Sequence, residues 1–561
     1  MVRVQLIKAL IFAITLFSPA LCGAVSQPNI LLLVAEDLSP RIGAFGDPVA
    51  HTPNIDELAR DGVRYRNTFS TAGVCAPSRA ALITGVHQNA LGAGHMRSHN
   101  WAKAKYMAVP PPEIKAFPEL LRAAGYFTYV TAKLDYQFSG HLPGSGPFTI
   151  WDSESTSVLG TSWRDRGDER PFFGMYAFME THESGLFPRC CWPRSLTQVF
   201  MGMLHTVMHW GTEKKVRPEQ VSVPPYYPDT TTIRRDIAQQ YNNSITMDRL
   251  VGEVLQQLED DGLAESTIVI WTTDHGDGLP RAKRELYDSG IKVPMVIRWP
   301  EKFRPEGVAA GDVDERLISF VDIAPTILTM AGVEVPDFVQ GRQFLTGEKR
   351  GPRKYVYAAA DRMDEARDRQ RAVRDAQFKY IRNDFTDRPG AKHLAFRDNL
   401  DSMRELWKLH ATGMLDEVQS QWFENHPPEE LYDTLGDPYE ITNLARDPLY
   451  AGVLIRMRGA LENWQERVID FGAIPESELA ATNWPNGERP TTAAPIFTTL
   501  PDGRTITVTA STPGASIGYR INGGQWMLYS GPIYLPPGSE LSAKAVRYGW
   551  AESAESVLTV N

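Results

Sequence analysis

Residues 74–85 are predicted to form a helix and its end. They read Val74-Cys75-Ala76-Pro77-Ser78-Arg79-Ala80-Ala81-Leu82-Ile83-Thr84-Gly85. Pro77 suits a first helical turn, the alanines are good helix formers, and Gly85 is suited to end the helix. Cys75 would lie at the helix N-terminus, where free N–H groups and the helix dipole favour an anion. Arg79 would lie one turn above Cys75 on the same face. The stretch therefore predicts a sulfur atom, an anion-binding helix end and a cation close together.

An apolar run upstream of this helix ends in two carboxylates. Residues 29–35 read Asn-Ile-Leu-Leu-Leu-Val-Ala and are followed by Glu36 and Asp37. A continuous apolar run of this length suits a strand buried on both faces of a parallel sheet. Ligands of α/β proteins bind at the carboxyl ends of such strands. Taken alone, an acidic pair after a strand is more often a helix cap or a solvated turn.

Three further apolar runs, at 127–131, 171–178 and 267–272, are also followed by chemically useful side chains. These side chains are Lys133 and Asp135, then His182, then Asp274 and His275, with Lys283 nine residues after Asp274. Each is weak evidence by itself. A lone histidine after a strand is more often structural than catalytic, and Lys283 with Arg284 also fits an ordinary solvated turn.

The Cys-x-Pro-Ser-Arg motif with its Ala-rich turn and Thr-Gly resembles the signature of the type I (formylglycine-dependent) sulfatases, in the alkaline phosphatase-like superfamily. Heparan N-sulfatase and the arylsulfatases are members of the kind it resembles, and the similarity extends from about Gln27 to Phe471. The resemblance implies that a formylglycine-generating enzyme oxidises Cys75 to formylglycine (3-oxoalanine), whose hydrate is the nucleophile. The alternative is that Cys75 is a small buried hydrophobic residue at a helix end.

The resemblance also assigns roles to the side chains that follow the strands. The implied catalytic residues are Cys75, Arg79, Lys133, His182 and Lys283, and the implied metal ligands are Glu36, Asp37, Cys75, Asp274 and His275. The chain departs from the usual pattern by Glu36 for aspartate, Asp135 for histidine and His275 for asparagine. Carboxylate oxygens suit Ca²⁺ or Mg²⁺, and the histidine leaves Mn²⁺ or Zn²⁺ open.

In the mechanism that the family implies, the hydrate attacks sulfur while Arg79, Lys133 and Lys283 surround the sulfuryl group. His182 protonates the leaving alcohol or amine. The expected activity is that of a secreted sulfuric ester hydrolase acting on sulfate esters, or N-sulfate, of a carbohydrate. Two alternatives stay open: a phosphodiester or phosphonate monoester hydrolase using the same site, and a non-catalytic binder of sulfated glycans with an unmodified Cys75.

The expected fold is α/β, with a large mixed sheet sandwiched by helices, a smaller C-terminal α+β subdomain and an appended all-β sandwich. The predicted boundaries are a signal peptide at 1–24, a catalytic domain at 25–350, a C-terminal subdomain at 351–475, a linker at 476–495 and a β-module at 496–561. The module lies behind a Pro-, Ala-, Asn- and Thr-rich stretch, so we expect it to be independent and dispensable for chemistry.

Composition restricts the partners of the chain. Its 561 residues exceed one ordinary core, and 42% hydrophobic with 22% charged residues is typical of a soluble globular protein. A formal net charge of −10 argues against nucleic acid and against long stretches of polyanion on the surface. The apolar run at 9–17, after Arg3 and Lys8, is too short to span a bilayer comfortably. Export to the periplasm or the extracellular space is therefore expected, without stable membrane insertion.

The remaining expectations concern cysteines and substrate. With only Cys22, Cys75, Cys190 and Cys191, disulfides are not the basis of the fold, and residues 186–223 suggest an irregular insertion near the pocket. A sulfated carbohydrate attacked from its end is the expected substrate.

Two groups of side chains bear on contacts with that carbohydrate. The candidate cations for further anionic groups are Arg362, Arg371 and Arg374, and the module aromatics Tyr519, Trp526, Tyr529 and Trp550 fit core packing better than sugar stacking.

Overall fold

The computed structural model describes residues 27–100, 105–188, 195–345 and 351–560. The predicted signal peptide, Cys22, Cys190 and Cys191 lie outside these described residues. Within them, no helix combines the length and the apolar character needed to cross a membrane.

The strands and helices are numbered here in chain order. The strands are β1 Asn29–Ala35, β2 Val63–Phe69, β3 Phe127–Thr131, β4 Ser153–Ser155, β5 Phe172–Phe178, β6 Thr267–Thr273, β7 Lys292–Arg298, β8 Val313–Ser319, β9 Val356–Ala360, β10 Gln370–Arg374, β11 Phe378–Asn383, β12 Glu429–Asp433, β13 Ile496–Thr499, β14 Thr505–Thr509, β15 Ser516–Ile521, β16 Met527–Leu528, β17 Ile533–Tyr534, β18 Glu540–Val546 and β19 Ser556–Thr559. The α-helices are α1 Pro53–Asp61, α2 Cys75–Thr84, α3 Phe117–Ala123, α4 Leu196–Met208, α5 Thr231–Asp260, α6 Asp288–Ile291, α7 Ile323–Met330, α8 Asp401–Ala411, α9 Glu417–Ser420, α10 Ala451–Arg467 and α11 Glu476–Asn483.

The main sheet has eight strands in the order β4-β3-β5-β1-β6-β7-β2-β8. Strands β3, β5, β1 and β6 run parallel, whereas β7 is antiparallel to both β6 and β2. Alternate residues of β1 enter two different cores, with Leu32 on one face and Leu33 on the other. The apolar run at 29–35 is therefore buried on both sides, which confirms the predicted mixed sheet sandwiched by helices.

Helix α2 lies entirely inside the protein. It begins at Cys75, and all ten of its residues are buried. Gly85 follows in the left-handed conformation, with φ of 70°, and its N–H donates to Ala81 O. The helix predicted from residues 74–85 therefore has its predicted start and stop, because small alanines let it pack closely and glycine can adopt positive φ.

A second, antiparallel sheet has the order β12-β11-β10-β9. Helix α10 packs on it, and the Trp464 ring stacks on Tyr357 with centroids 4.9 Å apart. This sheet and helix form the smaller α+β part that was predicted for the second half of the chain.

The C-terminal residues form two further sheets, with the orders β13-β14-β17 and β16-β15-β18-β19. Their shared core includes Ile506, Leu535 and Leu541, as expected of an all-β sandwich. Tyr519 and Tyr529 are partly buried against that core, and Trp526 lies edge-to-face against Phe148 of the preceding region.

The β-module is not independent of the rest of the protein, contrary to the expectation. Tyr548 is fully buried and stacks on Phe138 with centroids 4.9 Å apart. Its hydroxyl donates to Glu119 Oε2 at 2.9 Å, and Lys115 Nζ donates to Gly514 O at 2.9 Å. The prediction of independence was wrong because a strand-and-turn pattern predicts the β-structure of the module but not the surface against which it packs.

Residues 476–495 are likewise not a simple linker. Their first eight residues form α11, and Glu476 accepts hydrogen bonds from Arg362 Nε at 2.7 Å and from Tyr106 OH at 3.3 Å. Leu479 packs in a small buried cluster with Tyr106. Proline and alanine enrichment suggested an extended segment, but the leading Glu476-Ser-Glu-Leu-Ala-Ala is helix-forming and docks through its acidic first turn.

The segment 186–223 is also more ordered than expected, because it contains α4. The Ser195 side chain caps this helix by accepting from Gln198 N–H at 3.0 Å. The outward face of α4 is apolar and exposed, with Leu196, Phe200, Met203 and Val207 in solvent, and Trp210 just after the helix is exposed as well. His205 points inward and is buried. The prediction of an irregular insertion failed because polar groups face inward here, the reverse of the usual amphipathic pattern.

Candidate functional site

The site forms where four parallel strands end side by side. Strands β3, β5, β1 and β6 are neighbours, so the residues after each strand meet at one edge of the sheet. Glu36 N–H donates to Phe178 O at 3.0 Å, and Asp274 N–H donates to Ala35 O at 2.9 Å. Asp37 has a positive φ of 47°, a left-handed conformation that turns the chain sharply at the strand end.

Cys75 lies at the centre of this edge. Its Sγ is 3.4 Å from His275 Nε2, 3.6 Å from Glu36 Oε2 and 3.7 Å from Asp37 Oδ1. The side chain is 0% exposed. The start of α2 therefore presents residue 75 directly to the residues that follow β1 and β6.

The predicted metal ligands form one buried cluster. Ligand atoms of Asp37, Cys75, Asp274 and His275 lie within 4.8 Å of one another, and a second overlapping group joins Glu36 and His182 to Asp37 and Cys75. Three carboxylates and one imidazole are a donor set that suits a divalent cation. The residues present therefore fit the metal that the sequence predicted, and Glu36, the less usual residue at its position, lies within the cluster.

Three cations balance these carboxylates. Arg79 Nε donates to Asp274 Oδ2 at 3.2 Å, and its Nη2 donates to Glu36 Oε1. Lys133 Nζ donates to Glu36 Oε2 at 2.5 Å, and Lys283 Nζ donates to Asp37 Oδ2 at 2.5 Å. The side chain of Lys283 is 2% exposed, so the solvated-turn interpretation is wrong. All three predicted sulfate-binding cations therefore surround the start of α2.

These ion pairs set the protonation of the acids. Burial opposes ionisation of Glu36, but attraction from Lys133 and Arg79 holds its pKa well below the usual range. Burial acts in the same way on Asp37, and there Lys283 is the largest opposing influence that lowers the pKa. Both carboxylates are therefore ionised at neutral pH and available as hard oxygen ligands.

His182 lies beside the same cluster at the end of β5. Its Nδ1 is 2.8 Å from Ser184 Oγ, and the residue is 5% exposed. Burial, reinforced by the charge of Lys283, lowers the pKa of His182 to about 3. The ring is therefore neutral at neutral pH before an anionic substrate adds its charge to the site.

Several contacts at the site were not predicted from the sequence. Glu183 accepts two hydrogen bonds from Arg284, at 2.9 and 2.8 Å, and lies 3.2 Å from Lys283 Nζ. Arg284 also pairs with Asp364 at 2.7 Å. The only available signal was adjacency, because Glu183 follows His182 and Arg284 follows Lys283 in the chain. The pairing itself joins segments about a hundred residues apart, so no local pattern reveals it.

Asp135 stands where many sulfatases carry a histidine, and the structure gives it a different partner. It is fully buried and accepts from Arg97 Nη2 at 2.9 Å. The Arg97 side chain is 30% exposed and has a left-handed backbone with φ of 44°. Asp135, two residues after Lys133, therefore fixes the position of an arginine.

The three arginines considered for further anionic groups are engaged elsewhere, so that expectation was wrong. Arg362 pairs with Glu476, and Arg371 lies between Asp361 and Asp470 at 2.9 and 2.8 Å. The third of them, Arg374, donates to Asp288 at 3.1 Å. Each is buried, and of the carboxylates that neutralise these guanidiniums only Asp361 is near its partner in sequence, ten residues from Arg371.

Comparison with known proteins identifies the family. The sulfatase family model matches residues 28–144 and 150–333, and the model for the C-terminal part of N-sulphoglucosamine sulphohydrolase matches residues 281–422. The chain belongs to the sulfatase family. It is therefore a sulfuric ester hydrolase of the alkaline phosphatase-like superfamily, as the Cys75 motif predicted.

Two curated relatives and one solved structure show the extent of the similarity. An ulvan-active sulfatase of Formosa agariphila is 41% identical over 94% of this sulfatase and 90% of its own length. Human N-sulphoglucosamine sulphohydrolase is 29% identical over 79% of this chain and 91% of its own. The structure of BT4656 with D-glucosamine-2-N,6-O-disulfate has a TM-score of 0.54 at 18% identity, covering 79% of this chain and 99% of that one. This last likeness concerns the fold.

Proposed function

We propose that this sulfatase is an exported enzyme that removes sulfate esters from an ulvan-type carbohydrate, using formylglycine at position 75 and one divalent metal ion. The observation that carries the proposal is the convergence of Cys75, three carboxylates and three cations at one buried strand edge. Burying this many charged side chains has a large cost in desolvation free energy. A cysteine that only packed in the core would need no charged neighbours, so the cluster favours a catalytic role for residue 75.

The metal would be held by Glu36, Asp37, Asp274, His275 and residue 75. Ca²⁺ is favoured by the carboxylate oxygens, with Mg²⁺ or Mn²⁺ as alternatives because of the imidazole. When bound, the ion would offset negative charge on a sulfate oxygen. Formylglycine would supply the hydrated aldehyde that serves as nucleophile.

The remaining tasks fall to ordinary side chains. Arg79, Lys133 and Lys283 lie close enough to the start of α2 to bind the oxygens of a sulfate group attached at residue 75. His182 would donate a proton to the oxygen that leaves with the sugar. Because Cys75 and its neighbours are buried, water is largely excluded and these charges act in a low-dielectric surrounding.

The substrate class rests on the relatives and on the shape of the site. The relative with 41% identity is named as ulvan-active, and that similarity extends over nearly the whole chain. A fully buried Cys75 favours entry of a terminal sugar rather than passage of a polymer. We therefore propose exo-action during polysaccharide degradation, with export inferred from the N-terminal pattern at 1–24.

The test is sulfate release from purified ulvan oligosaccharides by protein co-produced with a formylglycine-generating enzyme. The wild-type protein should release sulfate, and Cys75→Ala should lose turnover with an unchanged circular dichroism spectrum. A phosphonate monoester of the same leaving group should react far more slowly. Faster hydrolysis of the phosphonate would favour the phosphonate hydrolase alternative. Tight glycan binding without turnover would favour the non-catalytic alternative.

A further inference from the structure

A chain of polar contacts runs from Nδ1 of His182 through Ser184 to His205. Ser184 Oγ is 2.8 Å from His182 Nδ1 and 2.8 Å from His205 Nε2. Ser184 and His205 are each 1% exposed. Neither residue belongs to the motif of the family or to the cluster around residue 75.

The local backbone is shaped for this contact. A 3₁₀ turn at Glu183–Leu186 begins directly after His182 and brings the Ser184 hydroxyl beneath the ring. A Cβ at Gly185 would lie 2.7 Å from Asn243 Nδ2 and 3.1 Å from His205 Nδ1. A side chain at position 185 would therefore push against the His205 ring, and the glycine leaves room for the close approach of α4 to the turn.

Helix α4 is itself held in place from behind. The ring of His205 stacks on that of His209, with centroids 5.8 Å apart. Nδ1 of His209 lies 2.6 Å from Thr246 Oγ1, on α5. The contact between His205 and Ser184 therefore joins α4 to the 3₁₀ turn, while the bond from His209 to Thr246 fixes the end of α4 on α5.

The chemistry of the contact determines which nitrogen of His182 serves the site. A hydroxyl both donates and accepts, so Ser184 can bond Nδ1 of the neutral ring or of the imidazolium. In both states Nδ1 is occupied by Ser184, so Nε2 is the nitrogen left to serve the neighbouring cluster of Glu36, Asp37 and Cys75. The orientation of a catalytic imidazole is commonly set by the bond that its other nitrogen makes.

We propose that Ser184 and His205 are positioning residues, which hold His182 so that its Nε2 can protonate the leaving oxygen of the substrate. The inference rests on the proposed function, with His182 as the acid. The negative charge of the bound sulfate favours the imidazolium, so His182 takes up a proton from water when the substrate binds. As the S–O bond breaks, the leaving oxygen keeps the electron pair and takes the Nε2 proton of that imidazolium. His182 is left as a neutral imidazole whose Nδ1 stays bonded to Ser184.

This role predicts a dependence on the leaving group that simple packing does not. An alcohol of a sugar leaves poorly without a proton, whereas a nitrophenolate leaves easily without one. Loss of a correctly oriented acid should therefore slow hydrolysis of the sugar sulfate much more than that of an aryl sulfate. A general loosening of the fold would slow both substrates alike.

The experiment compares Ser184→Ala, His205→Leu and His205→Gln with the wild-type holoenzyme, using a sulfated ulvan oligosaccharide and 4-nitrophenyl sulfate. We expect Ser184→Ala and His205→Leu to lower kcat on the oligosaccharide by about tenfold to a hundredfold with little change in KM, a fraction of the effect of a whole general acid. On the aryl sulfate the loss should stay below about threefold. Glutamine keeps an N–H near the position of Nε2, so His205→Gln should recover most of the rate.

Equal losses on both substrates, or no loss on either, would overturn the positioning role while leaving the proposed function intact. His205→Gln as impaired as His205→Leu would also contradict it. Wild-type protein that releases sulfate from neither substrate would overturn the proposed function, and this inference with it. Thermal unfolding of each variant separates a lost contact from a lost fold.

Discussion

At the scale of single residues, the site owes its chemistry to charges buried in matched pairs. Glu36 is held by Lys133 and Arg79, and Asp37 by Lys283. Removing one partner of such a pair leaves an unpaired buried charge, which commonly costs about 3–5 kcal/mol. The charged cluster around Cys75 therefore also contributes to the stability of the main domain.

Asp274→Ala should remove the metal, because Asp274 contributes one of the carboxylates in the cluster around residue 75. We expect the wild-type protein to carry one divalent ion per chain by elemental analysis, and the variant to carry far less. Chelation should abolish sulfate release, and added Ca²⁺ should restore it. Asp277→Ala is the matched control, because Asp277 is buried nearby but pairs with Arg41. A variant that keeps full metal content would contradict the assignment.

Glu180 offers a test of the electrostatics apart from catalysis. Burial raises the pKa of Glu180 to about 7, and its Oε2 has no partner among the described residues. A carboxyl whose pKa is raised by folding destabilises the protein progressively as pH rises from the ordinary value of about 4.5 to 7. The full shift corresponds to about 3 kcal/mol.

Glu180→Gln should therefore increase the free energy of unfolding at pH 8 and change it little at pH 5, as measured by urea denaturation. The control is Glu424→Gln at an exposed residue, which should leave the free energy of unfolding nearly unchanged. If the substitution increased the free energy of unfolding equally at both pH values, ionisation of Glu180 would not be the cause of the increase.

At the scale of elements, the strands that build the site were predictable from the sequence because each is a continuous apolar run. Strands β1, β3, β5 and β6 begin and end within a residue of the predicted runs. The long-range pairs were not predictable in this way, because the bonds from Arg284 to Glu183 and from Ser184 to His205 depend on packing and not on periodicity. Helices α4 and α11 were missed for the same reason, since tertiary contacts hold them.

The packing of the β-module gives a second test at this scale. The Tyr548 hydroxyl donates to Glu119 Oε2 at 2.9 Å and accepts from the Ala116 N–H at 3.2 Å. Tyr548→Phe leaves both groups buried without this partner, so we expect a loss of about 2 kcal/mol in stability. The rate of sulfate release should stay the same at moderate temperature.

Tyr534→Phe, on an exposed strand of the same module, should leave the unfolding temperature unchanged. If Tyr548→Phe and Tyr534→Phe had the same unfolding temperature, the module would not stabilise the protein through the Tyr548 interface. A chain ending at Ser477 should likewise unfold at lower temperature while keeping its rate on a small sulfate ester, because no side chain of the described catalytic cluster comes from the module.

At the scale of the whole molecule, charge and burial act on substrate choice. The chain carries a formal charge of −10, so its surface repels a long polyanion, and the cations Arg79, Lys133 and Lys283 are buried where only a group that enters the site can reach them. Sulfate release should therefore be faster from short ulvan oligosaccharides than from intact polymer, followed by ion chromatography at equal sulfate concentration. If the enzyme removed interior sulfates of the polymer as quickly as terminal ones, that result would contradict exo-action.

The most direct test of the central claim is the mass of the proteolytic peptide that contains residue 75, taken from enzyme whose activity has been measured. Every feature of the site converges on this residue, which begins α2 and lies within 3.7 Å of Glu36, Asp37 and His275. We predict that the peptide carries formylglycine in place of cysteine, in a fraction that rises in proportion to specific activity. A fully active enzyme whose peptide carries only the unmodified thiol would contradict the claim that formylglycine at position 75 is the nucleophile.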